Sequence, residues 1–395
     1  MVRFDSPWQR AAEVAVIALT ALVAIVATFL WLRAISGGAR PGAAGLPTSL
    51  GPCRPLGDGA AFAGDPMLVG ADVGASAPLG DGRIVWAYGD TFRRADGRTL
   101  TAVRNTLVIE TGDCRSVVIP AGGQEAIPDR ADGVGYWPMS IAVTRANGAA
   151  TMYVYAQRVM GSERRFAFDN LGPSVATFVI PDGGAPILMS VRDFGQDDPS
   201  RRNVGWGAAS ADGGDGYWYL FGTANPEEAM VFGWSVRVAR ARPEGLGDPG
   251  QWEYWTSAGW QSDPARATEV IGAVDGVSQT FSVLQRAARW YAISKRDGDL
   301  GTDLGVWSAD APWGPYAAPV TVGRIPNETV PPVLRYMPLA HPEVTSVPAG
   351  TVRVSVCRNS TDPDLLADRP ELYRPYFVDI ALPPLASQAL LQPGG

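Results

Sequence analysis

WAYGDT (Trp86–Thr91), VYAQRV (Val154–Val159), YLFGTA (Tyr219–Ala224), YAISKR (Tyr291–Arg296) and VSVCRN (Val354–Asn359) are five stretches of one kind. Each alternates aromatic or β-branched residues with small or polar ones, as a half-buried strand does. Their starts are 68, 65, 72 and 63 residues apart, so the pattern is a repeat of near-constant length. A further apolar stretch precedes each across a turn: ADVGASAPL from Ala71, WPMSIAVTR from Trp137, VGWGAASAD from Val204, SQTFSVLQR from Ser278 and MPLAHPEVTSV from Met337. The intervening turns GDGR, ANGAA and GGDG have hairpin chemistry, because glycine and asparagine tolerate positive φ. A third strand follows each pair: RNTLVIET, VATFVIP, SVRVARA, LGVWSAD and YFVDIALP. One such meander cannot bury both faces, but five stacked about an axis can. The expected fold is all-β, a five-bladed β-propeller with three or four strands per blade.

Composition agrees. The 395 residues include 46 Gly and 33 Pro, which suits many tight turns and disfavours long helices. Net charge is −7 and no run of Lys or Arg occurs, so nucleic acid is not an expected partner. Lys295 is the only lysine, a bias that codon usage explains. His341 is the only histidine, which excludes a His-rich metal centre and any mechanism that needs two histidines. No metal site and no organic cofactor are expected.

Ahead of the repeats, Val14–Leu32 (VAVIALTALVAIVATFLWL) is 19 residues without a charge, with Trp8 and Trp31 at its two ends. At 1.5 Å per residue it spans most of a ~30 Å hydrocarbon layer. It reads as a single N-terminal transmembrane signal anchor. The implied organisation is a cytoplasmic segment (1–13), the anchor (14–32), a Gly/Pro/Ala-rich linker (33–60), the propeller (61–385) and a tail (386–395). Cys53 and Cys114 bracket the first repeat. A disulfide between them suits an exported domain, and three buried thiols are the other reading.

Chemistry in a propeller gathers where the inner strands and their following loops meet the axis. Asp72 opens the first inner strand in GADVG, and Asp90 ends the next strand in YGDTF. A hairpin joins them, so both are candidates for one cavity, although each alone also fits a turn-capping aspartate. Arg158, Thr223, Lys295 and Arg358 align with Asp90 in the other repeats. If they face it, their charge depresses its pKa and makes it a base or nucleophile. A proton donor then comes from Asp297, Asp299, Asp303, Asp169 or Glu343. Asp297 fits a solvated turn better than a proton donor, and His341 either a bound hydroxyl or a structural role. Among the aromatics, Trp137 and Trp206 are candidate sugar platforms, though most of the 13 tryptophans belong to the core. The candidate site is thus catalytic Asp72 and Asp90, with substrate-binding Trp137, Trp206, Lys295, Asp297, His341 and Arg358.

GADVG, WAYGDTF and RNT (Arg104–Thr106), with VGWGAAS, RWYAISKRDG, VWSADAPWGPY, YMPLAHPE and YRPYFVDIAL, give the chain a likeness to a known family. It resembles the domain of unknown function 4185 family, grouped as glycoside hydrolase family 183, from about Gly64 to Leu382. The resemblance implies a five-bladed propeller that cuts D-arabinan of arabinogalactan and lipoarabinomannan, with its acidic pair at Asp72 and Asp90. It also implies a cell-wall arabinan partner and a propeller held outside the cell membrane, N-terminus inside. The alternatives are a wall-glycan-binding propeller without activity and a glycosidase of another furanoside specificity.

Overall fold

The computed structural model describes residues 48–55, 67–94, 97–161 and 168–383. These residues form five antiparallel sheets, of seven, four, five, four and four strands in chain order. Their innermost long strands are Leu68–Pro78, Gly135–Ala146, Gly205–Asp212, Ser282–Arg286 and Pro332–His341. Each of these strands packs beside the next, and the last returns to the first, so the sheets close a ring. The fold is all-β and propeller-like.

Five apolar interfaces hold the ring together, each formed by two consecutive sheets. Val85, Leu107 and Ile109 of the first sheet meet Met152, Val154 and Phe178 of the second. Tyr155 and Val175 then meet Leu220, Trp252 and Tyr254. Tyr219, Phe221 and Val238 meet Trp290 and Trp307. Ile293 and Val306 meet Val352, Val354 and Val356, and Phe377 closes on Trp86, Tyr88 and Val108. Both faces of every sheet carry apolar side chains because each face is covered by a neighbouring sheet.

Four sheets are plain meanders of four or five strands; the seven-stranded first sheet departs from the expected three or four. Its extra strands include Thr48–Leu50 and Arg54–Pro55, which pair with Cys114–Pro120. The expected linker therefore ends inside the first sheet, where Cys53 and Cys114 form a disulfide with Cα atoms 5.5 Å apart. The fifth inner strand also stops at His341, before the Pro342 ring, instead of running on toward Val347.

The expected anchor, Val14–Leu32, lies outside the described residues. Among the described residues no helix is long and apolar enough to cross a membrane. The single-pass membrane location expected from that segment is accordingly withdrawn.

Candidate active site

Four of the five inner strands share an irregularity that sets the site. In Leu68–Pro78 the pairing slips at three places, around Gly70, Val73 and Ala75. Comparable slips fall between Pro138 and Ser140, Trp206 and Ala209, and Tyr336 and Leu339. A bulge interrupts the two-residue period and re-aims the neighbouring side chain. Asp72, Trp137, Trp206 and Tyr336 are the residues that precede or meet these slips. Val73 has φ 64°, a conformation costing a β-branched residue about 1–2 kcal/mol. The cost is borne because the strand is held from the fifth sheet: the Cys357 thiol donates to the Val73 carbonyl (3.5 Å) and Arg374 Nε to that of Val69 (2.7 Å).

Asp72 is partly exposed and Asp90 is buried. The Tyr336 hydroxyl donates to Asp72 Oδ2 at 2.8 Å. Tyr373 and the backbone N–H of Asp90 also donate to the Asp72 carboxylate. Trp137 Nε1 donates to Asp90 Oδ1 at 2.9 Å. Burial raises the Asp72 pKa to about 6, against the lowering effect of the two tyrosine hydroxyls. Burial pushes Asp90 well above the usual carboxylate range, and the charge of Asp72 adds to it. Both carboxyls are thus raised, and the mutual repulsion of two charges so close disfavours ionising both at once.

The backbone close to Asp72 leaves no slack. A Cβ on Gly89 would lie 2.5 Å from Asp72 Oδ1, and one on Gly70 would lie 2.6 Å from the Tyr373 carbonyl oxygen. Both glycines are required by close approach, not by an unusual φ.

The cations aligned with Asp90 do not face it, which overturns the expected depression of its pKa. Arg158 is buried against the carbonyls of Leu171 and Phe194 and pairs with Asp197 (3.0 Å). Thr223 donates to the Gln279 carbonyl at 2.7 Å. Lys295 is fully buried, donates to the Arg335 carbonyl, and has its pKa lowered to about 7 by burial. Arg358 donates to the carbonyls of Arg374 and Glu371.

Of the other expected residues, only Trp137 touches the acid pair. Trp206 is buried between the second and third sheets with Tyr254 edge-on at 4.9 Å, so it is core. Asp297 is exposed in a turn at φ 60°, where its Oδ1 accepts from the Asp275 N–H. His341 is buried five residues beyond Tyr336 on the same strand, between Ser76 Oγ (2.5 Å from Nδ1) and Ser355 Oγ (2.8 Å from Nε2). Glu343 accepts from Ser76 there, away from Asp72. Asp303 pairs with Arg324, Asp169 is exposed, and half-buried Asp299 accepts from the Gln279 N–H.

Two residues of the site escaped the sequence reading. Tyr373 comes from a short 3-10 turn between the second and third strands of the last repeat and carries no periodic signal. Asp129 lies in the loop before the second inner strand, 3.3 Å from Arg104 Nη1. Burial raises its pKa to about 7, and its charge bears on Asp90. Its position six residues ahead of Gly135 in IPDRADGVG was the available clue. Beside this group, a small cleft between the second and third sheets is lined by Gln157, Asn170, Asn203, Gly205, Thr223 and Gln279. Gln157 is the cross-strand partner of Trp137, and its Oε1, like Asn170 Oδ1, is buried without a hydrogen-bond partner.

The profile of the family described as Domain of unknown function (DUF5005) matches residues 62–382. That finding corrects the expected resemblance, which was to a different family. No curated protein sequence matches the chain. Among solved structures, a "putative hydrolase" from Bacteroides ovatus superposes with TM-score 0.61 at 19% identity, covering 82% of this chain and 87% of that one. A GH43_1 enzyme from Xanthomonas citri gives TM-score 0.43 at 13% identity, over 85% and 91% of the two chains. An alpha-L-arabinanase from Cellvibrio cellulosa, complexed with arabinohexaose, gives 0.43 at 12%, over 81% and 94%. At these identities the likeness is one of fold.

Proposed function

The chain belongs to the DUF5005 family, and from its carboxylate pair we propose that it is a glycoside hydrolase built on a five-bladed propeller. The observation that carries the proposal is the Asp72–Asp90 arrangement. Two carboxyl groups joined through the Asp90 N–H are both raised, Asp72 to about 6 and Asp90 well above the usual carboxylate range. Splitting the protonation of two neighbouring carboxyls is what acid–base cleavage of an acetal requires. Hydrolase is also the description carried by the Bacteroides ovatus protein of similar fold.

In this mechanism Asp90 donates a proton to the departing glycosidic oxygen. Trp137 occupies Asp90 Oδ1 as a donor, which leaves Oδ2 to carry that proton. Asp72, held by Tyr336 and Tyr373, is the base or nucleophile on the other side of the bond. Arg104 and Asp129 tune Asp90 in opposite directions.

The finer reading is endo-cleavage of D-arabinofuranosyl linkages in cell-wall arabinan, which makes that polymer the first substrate to assay. The test is a panel of D-arabinan, L-arabinan and a galactofuranan scored for new reducing ends, with wild type, Asp72→Asn and Asp90→Asn. Cleavage of one polymer, lost by at least about a hundredfold in both variants, is the expected result. Undiminished cleavage in both variants refutes the assignment of the pair. Saturable binding of every polymer without cleavage refutes the hydrolase and leaves a glycan-binding protein.

A further inference from the structure

Arg358, one of the cations that does not face Asp90, lies with Arg324 and Arg335 between the fourth and fifth sheets. Arg335 and Arg358 are direct cross-strand partners in the fifth sheet, so the two like charges share one face. Such a pair is destabilising unless something lies between the charges. They border an open cavity of about 420 Å³, lined also by Arg324, Ile325, Pro326 and Tyr376. Three guanidinium groups therefore surround one space in a chain whose net charge is −7.

Two of the three have acidic partners: Arg335 pairs with Glu328, and Arg324 with Asp303 at 3.2 Å. Arg358 has none among the described residues. Its Nε and Nη2 donate to the carbonyls of Arg374 (2.9 Å) and Glu371 (3.1 Å), which accept hydrogen bonds without neutralising charge. Burial, with Arg335 and Arg374 nearby, holds the Arg358 pKa below the ordinary value despite the opposing effects of Tyr376 and Glu371. An anion in the cavity would relieve the repulsion between Arg335 and Arg358.

We propose that the cavity between the fourth and fifth sheets binds an oxyanion, a carboxylate or a phosphate group, carried on a ligand of sugar size. The planar guanidinium fork matches either group in a two-point contact. The volume falls within the range of pockets that take one small ligand. Tyr376 supplies an aromatic wall for the uncharged part of the ligand. The site stands apart from Asp72 and Asp90 and does not depend on the hydrolase reading.

The test is calorimetric titration of the full chain at low ionic strength with inorganic phosphate, glucuronate and glucose. At least one oxyanion is expected to bind the wild type, and more weakly as salt is added, while glucose does not bind. Binding of phosphate alone points to a phosphate ester as the natural group, and binding of glucuronate alone to a uronic acid; either supports the proposal. Arg358→Gln is expected to weaken binding about tenfold. Arg324→Gln, at a side chain 71% exposed that can be replaced without disturbing the fold, is expected to weaken it by a smaller factor. Should Arg358→Gln lose its circular dichroism signature, Arg324→Gln decides. Absence of binding by both oxyanions, or affinities unchanged in the folded variants, overturns the proposal.

Discussion

Asp129→Asn should change how stability responds to pH. The Asp129 side chain is 18% exposed, its Oδ1 is buried without a hydrogen-bond partner among the described residues, and Arg104 stands 3.3 Å from Oδ2. Burial outweighs the arginine, with Glu125 adding to the rise, and the pKa moves from 3.8 to about 7. The folded chain thus keeps a proton that the unfolded chain releases near pH 4. Between pH 4 and 7 the native state binds more protons than the unfolded one, so this carboxyl makes wild-type stability fall as pH rises. A shift of that size corresponds to about 4 kcal/mol, complete above pH 7 and absent below pH 4. Asparagine does not titrate. Urea unfolding of both proteins at pH 4, 6 and 8 should therefore find the variant gaining about 4 kcal/mol on the wild type from pH 4 to 8. Parallel stability profiles would refute the reasoning. A wild type that gains on the variant as pH rises would mean that the ion pair with Arg104 prevails over burial.

Tyr336→Phe removes a hydroxyl that stabilises ionised Asp72, so its pKa should rise above about 6. The expected rise is about one unit, read from the Asp72 carboxyl carbon shift against pH; no movement would refute the role of the tyrosine. The Cys53–Cys114 disulfide spans 61 residues of sequence, and in the chain-entropy account its removal by paired Cys→Ser substitution should cost up to about 4 kcal/mol in urea unfolding. The turn at Ala287 and Ala288 places two alanines at φ 51° and 60°. Replacing them by Asn and Gly should raise stability by about 1 kcal/mol or more, because those residues enter the left-handed region at lower cost; a destabilised variant would contradict the turn geometry.

The sequence alone determined the repeat, the strand pairs and the level at which Asp72 and Asp90 lie. These follow from a two-residue period and from turn chemistry, both of which act over a few neighbours. SVRVARA is a strand from Ser235 to Ala241, as its alternation requires. Asp72 and Trp137 likewise lie on the inner strands that the repeat marks, several residues inside them rather than at their starts. Which groups those residues meet was decided only by the tertiary structure. Bulges at Val73 and Met337 redirect side chains without leaving a mark on the alternation. Tyr373 and Asp129 arrive from loops with no period. Trp137 and Trp206 hold equivalent places in the repeat, yet one touches Asp90 and the other is covered by Tyr254. Alignment set Arg158, Lys295 and Arg358 opposite Asp90, but each finds carbonyl acceptors in its own surroundings first. The sign of the Asp90 shift followed from that. Desolvation depends on everything packed around a carboxyl, a property of the folded neighbourhood that no local pattern in the chain encodes.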